Sequence, residues 1–193
     1  MFAINLFFPY FSRGGKCAAA LLRAFGTGGE LAEWELEAIP EPHEGTNIDA
    51  RWKTSAGLLT LCEVKLSEAD IGKAKDNTRH RNKFTNTYRE RLTPHLEGGD
   101  IELTTFLRGY QFYRNVYHMV VDDTSELVFL LPRANAAVWE RLHVLLQSVT
   151  PQTRNRIRRV AMEDVLNALV TDSDLPSDLR DYASRLIQKY VIS

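Results

Sequence analysis

Apolar and polar positions along this chain follow two periods, and the switches between them mark its elements. The first nine residues, Met1 to Pro9, are apolar except for Asn5. Lys16–Phe25 is rich in Ala and Leu and is predicted to be a helix, preceded by Gly14 and Gly15 and stopped by Gly26, Gly28 and Gly29. Glu35–Ile39 alternates charged and apolar residues up to Pro40, the pattern of a first strand. Pro40–Gly45 is a loop. Thr46–Ala50 and Leu58–Glu63 then read as two strands joined across Thr54–Gly57, because small polar residues and a glycine punctuate two apolar runs.

Beyond the hairpin, Ser67 and Asp70 have the spacing of a capping box, so a helix is expected directly after Lys65 and Leu66. Lys73–Leu92 is polar and basic. Leu103–Val121 carries apolar residues at helical spacing, among them Phe106, Tyr110, Tyr113, Tyr117 and Val120. Glu126–Leu131 is a short apolar run closed by Pro132 and is predicted to be a buried strand. Helices are predicted over Ala134–Ser148, Arg158–Val170 and Ser177–Val191. The order is helix, strand, a hairpin of two strands, helices, strand, then helices.

Length and composition narrow the class. At 193 residues with 44% apolar residues, the chain is expected to form one domain with a real core. The apolar N-terminus lacks a basic start, is too short to span a bilayer and is closed by Pro9, so it is expected to pack on the core or a partner and not to act as a signal. No transmembrane stretch is expected elsewhere. Cys17 and Cys62 have no metal-ligand spacing, which suits a reducing cytoplasm. His80, His95, His118 and His143 show no zinc spacing. With a formal charge of −1, nucleic-acid binding must rest on local patches.

The chemistry gathers in the hairpin. With residue 56 near its centre, Asp49 and Glu63 fall opposite each other. Side chains alternate along a strand, so Lys65 shares the face of Glu63. Like charges placed opposite in a hairpin are destabilising, unless a cation sits between them. Two carboxylates suit a hard divalent ion such as Mg²⁺ or Mn²⁺, and the Val64 carbonyl offers a third oxygen. Such an ion lowers the pKa of water and neutralises charge on a phosphate. Lys65 is placed to orient the attacking water or to stabilise the transition state.

Element order and residues together resemble the PD-(D/E)XK nuclease superfamily, the restriction-endonuclease-like fold. The resemblance covers about residues 16–132, with a C-terminal helical extension over about 134–193. It implies an α/β core of helix, three strands, helix and strand around a central mixed sheet. It also implies an Asp on the second strand, here Asp49, and Glu-x-Lys on the third, here Glu63 and Lys65. More narrowly, Glu63–Glu68 looks like a group of uncharacterised restriction-endonuclease-like bacterial proteins that carry Tyr-Gln-x-x-Arg on the helix before the fourth strand. Here that is Tyr110, Gln111 and Arg114. Gln111 and Arg114, three apart, share a helix face. The resemblance turns that face to the site, with Gln111 on water or metal ligands and Arg114 on a phosphate. Two features depart from the pattern. Ile48, not Pro, precedes Asp49, and no acid lies between Lys16 and Phe25. Either the subgroup does without a first-helix acid, or Glu30, Glu41 or Glu44 takes its place.

The function implied is metal-dependent cleavage of nucleic acid, DNA above all, in restriction, defence or repair. Phosphate contacts come mainly from Lys and Arg. Lys73, Lys75, Arg79, Arg81, Lys83, Arg89 and Arg91 crowd one segment, and Arg154, Arg156, Arg158 and Arg159 a second. Of these, Lys73, Arg79, Arg81 and Lys83 are the expected backbone contacts. The competing readings are a solvated helix for the first tract and internal ion pairs for the second. Two other function classes stand beside the nuclease. One is a module of the same fold that binds nucleic acid or a protein with its site unused. The other is an assembly protein whose N-terminus and C-terminal helices form a homodimer.

Overall fold

The computed structural model describes residues 2–191. Its centre is a five-stranded mixed sheet in the order β1 (Leu31–Ala38), β2 (Ile48–Thr54), β3 (Leu59–Val64), β4 (Ser125–Leu131) and β5 (Ile157–Ala161). β1, β2 and β3 are antiparallel neighbours, whereas β3, β4 and β5 run parallel. One face is covered by α1 (Phe2–Phe11), α2 (Gly15–Ala24), α9 (Met162–Thr171) and α10 (Ser177–Tyr190). The other face is covered by α4 (Arg89–Leu92), α5 (Leu103–Arg108), α6 (Tyr110–Met119) and α7 (Ala136–Leu146), while α3 (Thr78–Lys83), which precedes α4, buries none of its side chains. The short α8 (Pro151–Arg154) leads into β5. This is an α/β restriction-endonuclease-like core with extra helices.

Alternation explains the central strands. In β4, Leu127, Phe129 and Leu131 enter one core, and Val128 and Leu130 enter the other. A parallel strand covered on both faces therefore reads as an unbroken apolar run. On the α1 side, Trp52 of β2 lies among Phe7, Phe11 and Phe25, with ring centroids 5.5, 5.8 and 5.3 Å away. The apolar N-terminus is thus a helix whose Phe2, Leu6, Phe7, Tyr10 and Phe11 are buried in the core.

Four expectations change. β1 starts at Leu31 and ends at Ala38, not over Glu35–Ile39. No helix follows Leu66: the Glu68 carboxylate turns back to the Leu66 and Ser67 amides at 2.7 and 3.0 Å, and Asp70 takes the Ile71 amide. Helix begins only at Thr78, where Asn77 accepts from the His80 amide at 2.9 Å. Leu103–Val121 is two helices, α5 and α6, parted at Gly109, where a Cβ would stand 2.8 Å from Leu145 and 2.9 Å from Tyr113. The stretch read as a helix from Arg158 begins instead as strand β5. Its Arg158 forms an ion pair with Glu126 of β4 at 2.8 Å. A segment this short carries too few periods to separate strand from helix.

Trp52→Ala should destabilise the domain by about 3–5 kcal/mol, the usual loss for emptying an aromatic core site. Urea unfolding at constant m-value checks this, and a loss under about 1 kcal/mol would mean that the aromatic cluster contributes little.

Candidate active site

The hairpin turn sets the register that builds the site. Gly57, at φ +90°, donates its amide to the Thr54 carbonyl at 2.9 Å, and the Thr54 amide donates to the Leu58 carbonyl at 3.0 Å. Pairing then runs from Lys53 opposite Leu59 to Ala50 opposite Cys62. One residue further this register sets Asp49 opposite Glu63, on the same face. The ladder ends there, and the Val64 amide donates to Asp49 Oδ2 at 2.7 Å.

Glu63 is the centre of the cluster, with only 4% of its side chain exposed. Its Oε1 accepts from the Gln111 side-chain amide and lies 3.1 Å from Lys65 Nζ. Its Oε2 accepts from Asn115 at 3.2 Å and faces the Arg114 guanidinium at 3.5 Å. Gln111 joins the two motif residues, because its own Oε1 accepts from Lys65 Nζ at 2.7 Å. It is backed by Gly72, whose φ is +105° and where a Cβ would stand 2.5 Å from Gln111 Oε1. The irregular segment after β3 thus closes over Gln111 only because it carries glycine there.

Among the described residues, no cation is bonded to Asp49. Burial pushes its carboxyl up to about 6, and the charge of Glu63 adds to this. The Val64 amide works the other way, Glu37 raises it further, and Lys65 lowers it. Glu37 belongs to a row on β1. Glu33 pairs opposite Lys53 and Glu35 opposite Arg51, the latter an ion pair at 3.0 Å. The same register sets Glu37 opposite Asp49, where the alternation of sign fails. Glu37 is also the one non-glycine at positive φ among the described residues, at +52°.

Sequence reasoning brought Asp49, Glu63, Val64, Lys65, Gln111 and Arg114 to this region. It missed Asn115, Gly72 and Glu37. Asn115 was within reach, standing four residues after Gln111 on the same helix stripe. Glu37 carried a signal only through the β1–β2 register. Arg114 is buried between Glu63 and Asn115, bonding the latter at 2.9 Å, and so holds the acid from behind. The basic tract divides. Arg79 is exposed, Arg81 pairs with Asp76 at 2.6 Å and Lys73 with Asp70 at 2.8 Å, both at the surface. Lys83 is turned inward to Glu44 at 2.7 Å. Glu44 therefore does not replace a first-helix acid. In the second tract, Arg156 donates to the carbonyls of Ser125, Met119 and Asp122, and Arg158 serves Glu126, as internal pairing requires.

Among the described residues, no three His, Cys, Asp or Glu side chains gather as a metal-binding group. What Asp49 and Glu63 form is a pair of carboxylates, hard oxygen donors, with two cations against Glu63 and, among the described residues, none bonded to Asp49. A family model described as restriction endonuclease associating with ARP matches residues 1–191. The chain belongs to this family. The match runs through the C-terminal helices and takes in all the residues of the cluster. No curated protein and no solved structure gives a match. Among the described residues of this family member, no helix is long and apolar enough to cross a membrane.

The raised carboxyl gives a signed prediction. An unfolded Asp ionises near its ordinary value of 3.8, the folded one near 6. Between those values the native state holds the extra proton, so stability from this group falls as pH rises and stays lost above about 6. Asp49→Asn keeps an acceptor for the Val64 amide and removes the charge. It should melt roughly 2–4 °C above the parent at neutral pH, for a gain of about 1 kcal/mol, and the difference should vanish below about pH 4. Paired thermal melts across that range decide it. A variant that melts lower at pH 7 would make Asp49 a structural acceptor only.

Proposed function

We propose that this chain hydrolyses phosphodiester bonds in DNA with a divalent cation, as PD-(D/E)XK nucleases do, in restriction, defence or repair. The observation that supports this most is the meeting of two carboxylates, a lysine and a glutamine at the end of β3, supplied by β2, β3 and α6. The donor set suits Mg²⁺ or Mn²⁺. Asp49 Oδ1 takes no hydrogen bond from the protein among the described residues, Glu63 stands opposite it in the register of the hairpin, and Val64, whose amide bonds Asp49, could add its carbonyl oxygen. Mg²⁺ characteristically takes one or two carboxylates and fills its shell with waters and phosphate oxygens. When bound, the cation would make water a better nucleophile and neutralise charge on the phosphoryl oxygens.

The protein's own residues divide the remaining work. Lys65 is held by Glu63 and Gln111 with little freedom, so its ammonium is preorganised to orient the attacking water or meet charge that develops on the phosphate. Gln111 fixes Lys65 and Glu63 relative to each other. Arg114 and Asn115 fix the orientation of the Glu63 carboxylate. Lys73, Arg79 and Arg81 lie at the surface and serve as phosphate contacts. Lys83 drops out of that footprint because Glu44 holds it. A second reading is a module that binds nucleic acid or a protein without cutting. It draws on the absence of any carboxylate from α2.

The test is purified protein with Mn²⁺ on mixed nucleic acids, beside two variants. Lys65→Ala should keep Mn²⁺ affinity within about threefold but lose cleavage by on the order of a hundredfold, because a preorganised charge is lost and no ligand is. Glu63→Gln should damage both. Titration calorimetry supplies the affinity. Equal loss of Mn²⁺ binding in the two variants contradicts the division of roles, and binding without cleavage by the parent favours the second reading.

Arg79→Gln with Arg81→Gln should weaken binding of all DNA sequences alike and flatten the dependence of log Kd on log salt by about one unit or more, because fewer counterions are released. Fluorescence anisotropy over a salt series measures both. An unchanged slope would make the tract a solvated surface.

A further inference from the structure

A second buried carboxylate lies outside the cluster and takes no part in the chemistry above. Glu44 stands in the loop between β1 and β2 with no side-chain surface exposed. Its Oε1 accepts from Lys83 Nζ at 2.7 Å and from the Tyr88 hydroxyl. Its Oε2 accepts from the Thr46 amide at 3.0 Å and from the Thr46 hydroxyl, and His118 Nε2 lies 3.5 Å away. Burial pushes this carboxyl up, but His118, Lys83, Thr46 and Tyr88 together outweigh it and hold Glu44 well below the usual carboxylate range. Removing one partner of such a buried group is strongly destabilising, so the node keeps its parts together.

The parts it joins are those that carry the site. Glu44 lies shortly before Asp49 in the chain, and the loop between them enters β2. Lys83 ends α3, and Tyr88 closes a π-turn over Phe84–Tyr88. Such turns are rare and often stand at functional sites. Tyr88 also lies 3.2 Å, hydroxyl to hydroxyl, from Tyr110, the residue before Gln111. On α6, Gln111, Arg114, Asn115 and His118 follow the spacing of one helix stripe. The N-terminal part of that stripe meets Glu63, and its C-terminal end meets Glu44. Asp49, meanwhile, has a single hydrogen bond from the described residues and a like charge opposite it. The Val64 amide and the pairing of Ile48 with Ala38 hold the start of β2 in the sheet against that repulsion, and the loop that precedes Ile48 is tied down at Glu44.

We propose that Glu44 is a positioning residue for the phosphodiester chemistry, a proposal that rests on the nuclease reading above: it braces the loop that leads into β2, and so to Asp49, against the helix that carries Gln111, and thereby helps fix the separation of Asp49 from the Glu63, Lys65 and Gln111 cluster. Misplacement by about 1 Å is enough to lower a rate a hundredfold.

Steady-state cleavage of the nucleic acid that the parent cuts, in Mn²⁺, tests this with Glu44→Gln and Tyr88→Phe, each held well below its own melting temperature. Glu44→Gln should lower kcat about tenfold or more with KM within about twofold, because substrate contacts stay while reacting groups drift. Tyr88→Phe should shift kcat in the same direction by less. Where Glu44→Gln does not fold, Glu44→Gln with Lys83→Met removes both buried charges together, and the same loss of kcat is expected from a protein that melts normally. Folded variants that keep the parent's kcat overturn the proposal and leave Glu44 a stabilising residue only. A parent protein that neither cleaves nor binds Mn²⁺ overturns the nuclease reading itself, and this proposal with it.

Discussion

A carboxylate taken out of water must be met by donors, and much of this structure follows from how Glu63 is met. Leaving a buried charge unpaired is prohibitive. Glu63 is surrounded by Lys65, Gln111, Asn115 and Arg114, three of which come from one helix. That requirement docks α6 against the end of β3 in a single rotation. It also draws the irregular segment after β3 over Gln111, which is possible only with glycine at residue 72. Asp49 is treated in the opposite way. Among the described residues it receives one backbone amide and no direct cation, so the pair is compensated on one side and open on the other.

The same helix stripe serves two acids. Glu63 and Glu44 lie at either end of it, each bonded by groups from several elements. Between them α6 turns Phe112 toward Phe129 of β4, with centroids 6.1 Å apart, so apolar packing sets its depth while the two polar nodes set its rotation. Apolar burial is non-directional and tolerates rotation, whereas hydrogen-bonded charges do not. This division also narrows the positive surface. Lys83, Arg114, Arg156 and Arg158 are engaged internally, so the cations available to a polyanion are fewer than the two basic tracts suggest.

Local rules of the chain were enough for its central hairpin. The turn at Thr54–Gly57, the alternation of side chains and the count of residues between Asp49 and Glu63 determined that the two acids would face each other with Lys65 alongside. The unbroken apolar run of β4 and the Ala- and Leu-rich α2 were equally legible, because period and turn chemistry act over a few residues. Gln111 was reached by resemblance, and its helix neighbour Asn115 lay one turn further on.

Tertiary structure decided the rest. Nothing local in the first nine residues says that they form a helix around Trp52, nor that Arg158 stands in a strand and not a helix. That strand exists because β4 offers it an edge and Glu126 a charge. Lys83 looks like the other cations of its tract, yet it closes on Glu44, and Arg114, expected on a phosphate, closes on Glu63. Glu37 became a neighbour of Asp49 only through the register of β1 on β2. Long charged side chains choose partners across the fold, at sequence separations where periodicity is silent. The chain by itself therefore determined which acids would meet, and the packing of distant elements decided which cations would be left at the surface.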